Sequence, residues 1–428
     1  MERPARKVRD IVVQLLWENG PSTLEELADQ IGVTKVGVFH QLRAEEGGLV
    51  IKFKEKKRGR GRRRNQYAIN PDWGYTAGVD LGTAFWRVVG LDGGKRKVFE
   101  KKGERDLGLS PEETVEFMGK VVREGRRDRR LLGVGVAFPG IWDREGRISM
   151  SRWEGWEGFP LRREMEREVG VPVFLIDNAQ GMALGEGYLG EGRRFSHFLF
   201  LNLGTGVGLG VWEGGQVLWE GGGRSAEIGH MVMKEDGPPC MCGNFGCLEA
   251  LASYRAIRRE VEGLISEGMV QPFDVTPRAL KERVDAGDRA VQKVVERAGR
   301  WLGKALSYAV NLFHPEAVFV GGGMTELGEH LLRPMRETLR EFALSDRVEV
   351  PVQISPLGEW AGALGAALSV WLKILRGGKD HDGQEEHLGD SPFAVGQGCG
   401  THRAGGGDPR KAPPSQEDPD SNVPREDG

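Results

Sequence analysis

Apolar positions recur at helical spacing near the start of the chain, where Val8, Ile11, Val12, Leu15 and Leu16 share one face. Asn19-Gly20-Pro21 ends that first helix. Ser22 or Thr23, close to Glu25 and Glu26, then offers a capping box for a second helix from Leu24 to Ile31, which stops at Gly32. Thr34 can cap a third from Lys35 to about Glu45, and two helices joined by a short glycine-containing turn make a helix-turn-helix. The pattern then switches to alternation. Leu49 to Lys54 and Gln66 to Ile69 read as strands flanking the basic run Lys56 to Arg64. A hairpin with a basic, glycine-loosened tip directly after a helix-turn-helix predicts a winged helix over residues 1–70.

From Thr76 onward, strands and helices alternate. Residues 77–81, 86–91, 131–138, 173–176, 198–203, 208–212, 318–320 and 348–354 read as strands. Helical patterns fall near 110–124, 160–169, 179–188, 251–265, 277–313, 326–342 and 360–376. This alternation predicts an α/β domain over 76–376 with mixed sheets covered by helices. Residues 377–428 lack apolar periodicity and are rich in Gly, Pro, Asp and Glu, so a disordered tail is expected there.

Composition sharpens the picture. The 428 residues suit two or three domains, and the net charge is only −3. Residues 1–70 nevertheless hold 15 Lys+Arg against 9 Asp+Glu, which leaves an acidic body behind a basic module. That asymmetry points to nucleic acid at one end. No apolar run approaches the ~20 residues of a membrane span, and the charged start lacks a signal-peptide core. With four cysteines, one of them alone at Cys399, a reducing cytoplasm is the expected setting and no membrane partner is expected.

The other three cysteines carry chemistry. His230, Cys240, Cys242 and Cys247 lie within eighteen residues, and three thiolates with one imidazole complete a tetrahedral shell. Such a Cys3His set predicts structural Zn2+ with no coordination position left for a water nucleophile.

Two glycine turns follow strands in the two halves of the domain: Asp80-Leu81-Gly82-Thr83 and Leu203-Gly204-Thr205-Gly206-Val207-Gly208. Each places small residues where backbone N–H groups could approach phosphate oxygens. The repetition suggests a two-lobed, actin-like ATPase fold with a cleft between lobes, and Gly321-Gly322-Gly323 fits a further turn of that cleft. Further segments carry a family resemblance: Gly133 to Gly140, Ala226-Glu227-Ile228-Gly229-His230, the cysteine run, Gly246-Cys247-Leu248-Glu249 and Ala361 to Ala366. Together they resemble the ROK family of repressors, reading frames and sugar kinases over roughly residues 76–375. The preceding winged helix is similar to that of its transcriptional-regulator branch, which includes the xylose and N-acetylglucosamine repressors.

The resemblance implies that Glu227, His230 and Glu249 hydrogen-bond sugar hydroxyls, with His230 also a metal ligand. Gly140, Asp177 and Asn178 join them as expected sugar-site residues, and Trp153 and Trp156 are equally consistent with packing. It also implies a catalytic carboxylate just before a helix ending in A-L-G-E. Registering that helix on Ala183-Leu184-Gly185-Glu186 puts Asn178 at the catalytic position. An amide is no base at neutral pH, and losing a general base typically costs ~10²–10⁴-fold in rate. The first phosphate turn departs too, since Thr83-Ala84 stands where the family has Gly-Thr.

The expected protein is therefore not an enzyme. It is a sugar-responsive regulator, in the first instance a repressor, acting as a homo-oligomer (dimer or tetramer) on double-stranded operator DNA. An active sugar kinase is the alternative, and a sensor that binds a protein is a further rival. Lys35, His40, Gln41 and Arg43 are candidate base or phosphate contacts, with Thr34 capping the helix and touching phosphate. Arg60, Arg62, Arg63 and Arg64 of the wing are candidate phosphate or minor-groove contacts.

Overall fold

A computed structural model describes residues 7–45, 47–54, 64–125, 128–218, 226–344 and 350–376. Arg60, Arg62, Arg63 and the 377–428 tail lie outside the described residues. The chain begins with three helices, α1 (Val8–Asn19), α2 (Leu24–Ile31) and α3 (Lys35–Glu45). Strands β1 (Val50–Lys54) and β2 (Asn65–Ile69) follow and pair antiparallel, from Val50 opposite Ile69 to Lys54 opposite Asn65. Thr23 is the residue that caps α2: its hydroxyl accepts from the Glu26 N–H while the Glu26 carboxylate takes the Thr23 N–H, at 3.2 and 2.7 Å. Thr34 caps α3 by accepting from the Gly37 N–H at 3.1 Å. Val12, Val13, Leu16, Leu27, Val38, Leu42 and Tyr67 are fully buried between these elements.

The first lobe holds β3 (Tyr75–Leu81), β4 (Phe85–Asp92), β5 (Lys97–Glu104), α4 (Pro111–Arg123), β6 (Leu131–Phe138), β7 (Gly140–Trp142), β8 (Ile148–Ser151), α5 (Leu161–Val169) and β9 (Val173–Asp177). Its five-stranded sheet runs β5-β4-β3-β6-β9, antiparallel on one side of β3 and parallel on the other. Helix α6 (Asn178–Leu189) leads to the second lobe, which begins with β10 (His197–Leu203), β11 (Val207–Glu213) and β12 (Gln216–Val217). Helices α7 (Leu248–Ala252), α8 (Tyr254–Ser266), α9 (Pro277–Asp285) and α10 (Arg289–Phe313) follow. The chain continues through β13 (Ala317–Gly321), α11 (Glu329–Phe342), β14 (Val352–Ile354) and α12 (Ala361–Leu375). The second sheet repeats the device, with order β12-β11-β10-β13-β14 and β10 between an antiparallel and a parallel neighbour. Two mixed sheets of one design thus occupy the two halves.

Three differences from the sequence pattern have local causes. The single helix expected over 277–313 is two, because Gly287 sits at φ +86° and Asp288 restarts the helix by accepting from the Ala290 and Val291 N–H groups. The strand β5 was hidden by its charges, as Lys97, Glu100 and Glu104 face water along a sheet edge. The short strands β7, β8 and β12 are too brief to show a period.

Helices α6 and α12 lie between the two sheets and touch backbone to backbone. A Cβ on Gly365 would collide with the Gly181 carbonyl oxygen, and Gly78 and Gly135 of the first sheet press equally closely on α12. On the far side Gly210 of the second sheet meets α6 at the Ala179 carbonyl. The core is continuous with the N-terminal helices as well. The Trp17 ring lies 5.0 Å from that of Tyr188 at the end of α6. Among the described residues no helix is long and apolar enough to cross a membrane.

Gly365→Ala should therefore destabilise the fold despite the better helix propensity of alanine. Overpacking against backbone costs about 1–3 kcal/mol, against ~1 kcal/mol gained in propensity. Urea unfolding checks this, and an unchanged or raised midpoint would contradict the packing argument.

Candidate functional site

Three backbone junctions carry the expected polar residues of the site. Asp177 ends β9 and caps α6, its carboxylate accepting from the Ala179 and Gln180 N–H groups at 2.9 and 3.1 Å. Asn178, the first residue of α6, turns the other way and donates from its amide to the Asp80 carboxylate at 2.7 Å. Glu227 precedes a 3-10 turn over Ile228–His230, and Glu249 lies buried in α7 directly after the cysteine loop.

The carboxylates are not equivalent. Burial raises Asp80 to about 6 against the pull of Arg87, 3.8 Å away, and of the Asn178 amide. Asp177 is likewise pushed up to about 6 by burial, opposed by the helix N–H groups. Glu227 reaches about 7, first from loss of hydration and then from the neighbouring charges of Asp177 and Glu249, with Arg152 opposing. Near neutral pH such a carboxyl is divided between donor and acceptor forms, which suits a hydroxyl that can do either. The Asn178 amide oxygen is buried and has no protein hydrogen-bond partner among the described residues.

Two arginines went unnoticed in the sequence. Arg152 forms an ion pair with Glu249, and Arg255 reaches the other Glu249 oxygen at 3.4 Å. The Val207 N–H adds a third donor at 3.2 Å. Glu249 is thus fully engaged by protein groups in this arrangement. No spacing in the chain could have revealed this, because 152 and 249 meet only through the packing of the two lobes.

The remaining expected residues divide. Gly140 opens β7, where a Cβ would meet the Phe138 ring at 2.6 Å and the Met150 carbonyl at 2.8 Å, so its smallness has a packing cause. Trp156 is buried against Phe138, and Trp153 lies under the Arg105 guanidinium at 3.5 Å. The two glycine turns meet, with the Thr83 and Thr205 hydroxyls 2.9 Å apart. Their Gly82 and Gly204 N–H groups bond within their own turns, to the Phe85 and Gly206 carbonyls, rather than pointing free.

His230, Cys240, Cys242 and Cys247 converge, with one donor atom from each lying within 4.8 Å of all the others. Cys240 Sγ lies 3.6 Å from His230 Nδ1, and Cys242 Sγ 3.7 Å from Cys247 Sγ. Tetrahedral bonds of about 2.0–2.3 Å to zinc put ligands roughly 3.5–3.8 Å apart, so the donor set fits that ion. The loop closes because Gly246, at φ +66°, lies so near the Lys234 carbonyl that any Cβ would overlap it. Burial also pushes the His230 imidazole down towards the neutral form that can ligate a metal. With Nδ1 turned to the sulfurs, the second ring nitrogen stays available as a donor.

On the N-terminal body, Lys35, His40 and Arg43 are exposed on one arc of α3, beside exposed Thr34. Gln41 is half-buried, lying about 100° around the helix from His40, the nearer edge of that arc. Glu25 draws Lys35 and Arg64 together, with Arg64 at 3.7 Å.

Comparison with known proteins follows the same division of the chain. The sequence model of the ROK family matches residues 76–373. A glucokinase from Thermotoga maritima is 36% identical over 311 residues, covering 69% of this chain and 97% of that enzyme. A xylose repressor from Caldicellulosiruptor bescii is 26% identical over 344 residues, covering 77% of this chain and 86% of its own length. The crystal structure of a ROK family transcriptional regulator, a homologue of the E. coli MLC protein, superposes with a TM-score of 0.74 at 22% identity. It covers 86% of this chain and 96% of that one.

Purified protein is expected to contain about one zinc per chain by elemental analysis. Cys247→Ser should lose the ion and lower the melting temperature by more than about 2 °C. A metal-free protein whose melting point is indifferent to zinc and chelator would overturn this assignment.

Proposed function

This chain belongs to the ROK family, and from that premise we propose that it is a carbohydrate-responsive transcriptional regulator, a repressor whose kinase-derived domain no longer phosphorylates. The observation that carries the reading is Asn178. Its amide stands at the position of the expected catalytic carboxylate and is spent on Asp80, so it supplies no base for phosphoryl transfer. The repressor among the relatives and the helices and hairpin ahead of residue 76 support a DNA-binding head.

In this reading α1–α3 with β1 and β2 form a winged helix, and α3 enters the major groove. Thr34, Lys35, His40 and Arg43 make the contacts, Gln41 at the flank, with Arg60, Arg62, Arg63 and Arg64 on the backbone. Two copies of the chain read a palindromic operator in the cytoplasm. The sugar sits among Gly140, Asp177, Asn178, Glu227, His230 and Glu249, and structural zinc fixes the loop that carries the last two. Sugar hydroxyls replace Arg152 at Glu249, and the lobes adjust around α6. Because α6 runs from Asp177 to Tyr188 against Trp17, a shift of the helix reaches the head directly. A coupling of about 1–3 kcal/mol gives roughly 5–150-fold relief of repression.

Operator DNA selected by the purified chain, titrated with and without a panel of monosaccharides and amino sugars, tests this. One sugar should weaken binding within that range, and Glu227→Gln should abolish its effect. A response to no sugar sinks the sensor half of the proposal.

The second reading, an ATP-dependent hexose kinase, is favoured by the identity to the Thermotoga glucokinase and by Asp177, whose raised pKa and nearness to Glu227 would suit a base. The capping bonds of Asp177 argue against it, since they fix its Oδ1 on the helix N–H groups and so set the direction of the carboxylate. A coupled ATPase assay with glucose should show no turnover, and formation of a hexose phosphate would establish the kinase.

A further inference from the structure

Away from the cleft, a cavity of about 590 Å³ opens at the seam between the N-terminal helices and the two-lobed body. Glu18 of α1, Lys95 of the β4–β5 turn, Tyr188, Arg193, Trp212 and Arg376 are among its walls. Three of these are cations, and Glu18 is the one carboxylate among the described lining residues. One oxygen of that carboxylate accepts from the Gln14 amide at 2.7 Å and the Tyr188 hydroxyl at 3.2 Å.

Lys95 is held there against its preference. It takes the left-handed conformation, φ 60°, that a side chain with Cβ adopts reluctantly, with its N–H fixed to the Asp92 carbonyl at 2.9 Å. Its ammonium is half-buried over the rings of Trp17 and Tyr188, at 4.6 and 5.7 Å, with no ion-pair partner among the described residues. Arg193 uses Nε on the Gly190 carbonyl at 3.1 Å and likewise has no ion pair among the described residues. Burial lowers the Lys95 pKa, and Arg193 is close enough to lower it further, against Glu18. Lys95 and Arg193 thus face the cavity with Glu18 as the one carboxylate among the described lining residues, a positive excess that an anion can balance.

We propose that this cavity is a second effector site, which binds a small phosphate-bearing molecule and thereby braces the DNA-reading head against the sensor. Phosphate oxygens accept from the Lys95 ammonium and from the Arg193 guanidinium fork, with Arg376 facing the same space. The volume admits a phosphate together with a body of sugar size. Its walls come from both parts of the chain, so the bound anion favours the docked arrangement over others. The site shares no residue with the sugar cleft and stands or falls independently of it.

Calorimetry on the full chain at fixed ionic strength, with inorganic phosphate, glucose 6-phosphate, glucose and citrate, tests the assignment. Both phosphate probes should bind saturably, and citrate should not match them. Lys95→Gly suits the backbone conformation and should fold, yet weaken phosphate binding by about tenfold or more. Arg193→Gln should act in the same direction, while Glu227→Gln should leave phosphate binding intact. Three results would overturn the proposal: no saturable phosphate binding, equal affinity for citrate, or binding that survives both cation substitutions. Glucose 6-phosphate binding that needs Glu227 but not Lys95 would place that ligand in the cleft and overturn it equally.

Discussion

The contact on which the architecture rests is the backbone-to-backbone crossing of α6 and α12. At Gly365, against the Gly181 carbonyl, the helices approach closer than any side chain permits, and α12 is pressed in turn onto β3 and β6 at Gly78 and Gly135. Dispersion falls steeply with separation, so such close approach makes the pair a rigid spine between two sheets. Both chemistry and connectivity follow from it. The N-terminus of α6 delivers Asp177 and Asn178 to the cleft, and its C-terminus delivers Tyr188 to the N-terminal helices.

At the cleft, the fold decides which polar groups remain available. Asp177 spends one carboxylate oxygen on the helix it caps, Asn178 spends its amide N–H on Asp80, and Glu249 is shared by two arginines and a backbone N–H. Glu227 differs from these, raised to about 7 by lost hydration and by neighbouring carboxylates. A ligand rich in hydroxyls can exchange with such groups one for one. The cost of uncovering a buried carboxylate is then met by new hydrogen bonds, and recognition without turnover is chemically coherent.

The metal loop is the counterpart of the spine. Four donor atoms within 4.8 Å of one another gather the loop of residues 230–247, and Glu249 follows within two residues. An ion held there would fix the imidazole, and with it the direction of the second ring nitrogen.

Much of this was legible in the chain. Periodicity gave the helices and central strands because burial on one face leaves its period in the sequence, and cysteine spacing gave the convergence of His230, Cys240, Cys242 and Cys247 because donors close in sequence can be brought close in space. The shift from Asp to Asn at 178 was readable from the register of Ala183 to Glu186. The partners of those residues were not readable. Arg152 with Glu249, Asn178 with Asp80, and the convergence of Lys95 and Arg193 at a seam join residues about 100 positions apart. Charged edge strands such as β5 and the break at Gly287 escaped for a related reason, since neither leaves an apolar period. Local order is written in local pattern, but which polar groups meet, and which are left to bind something else, is decided only when the two sheets close on the helices between them.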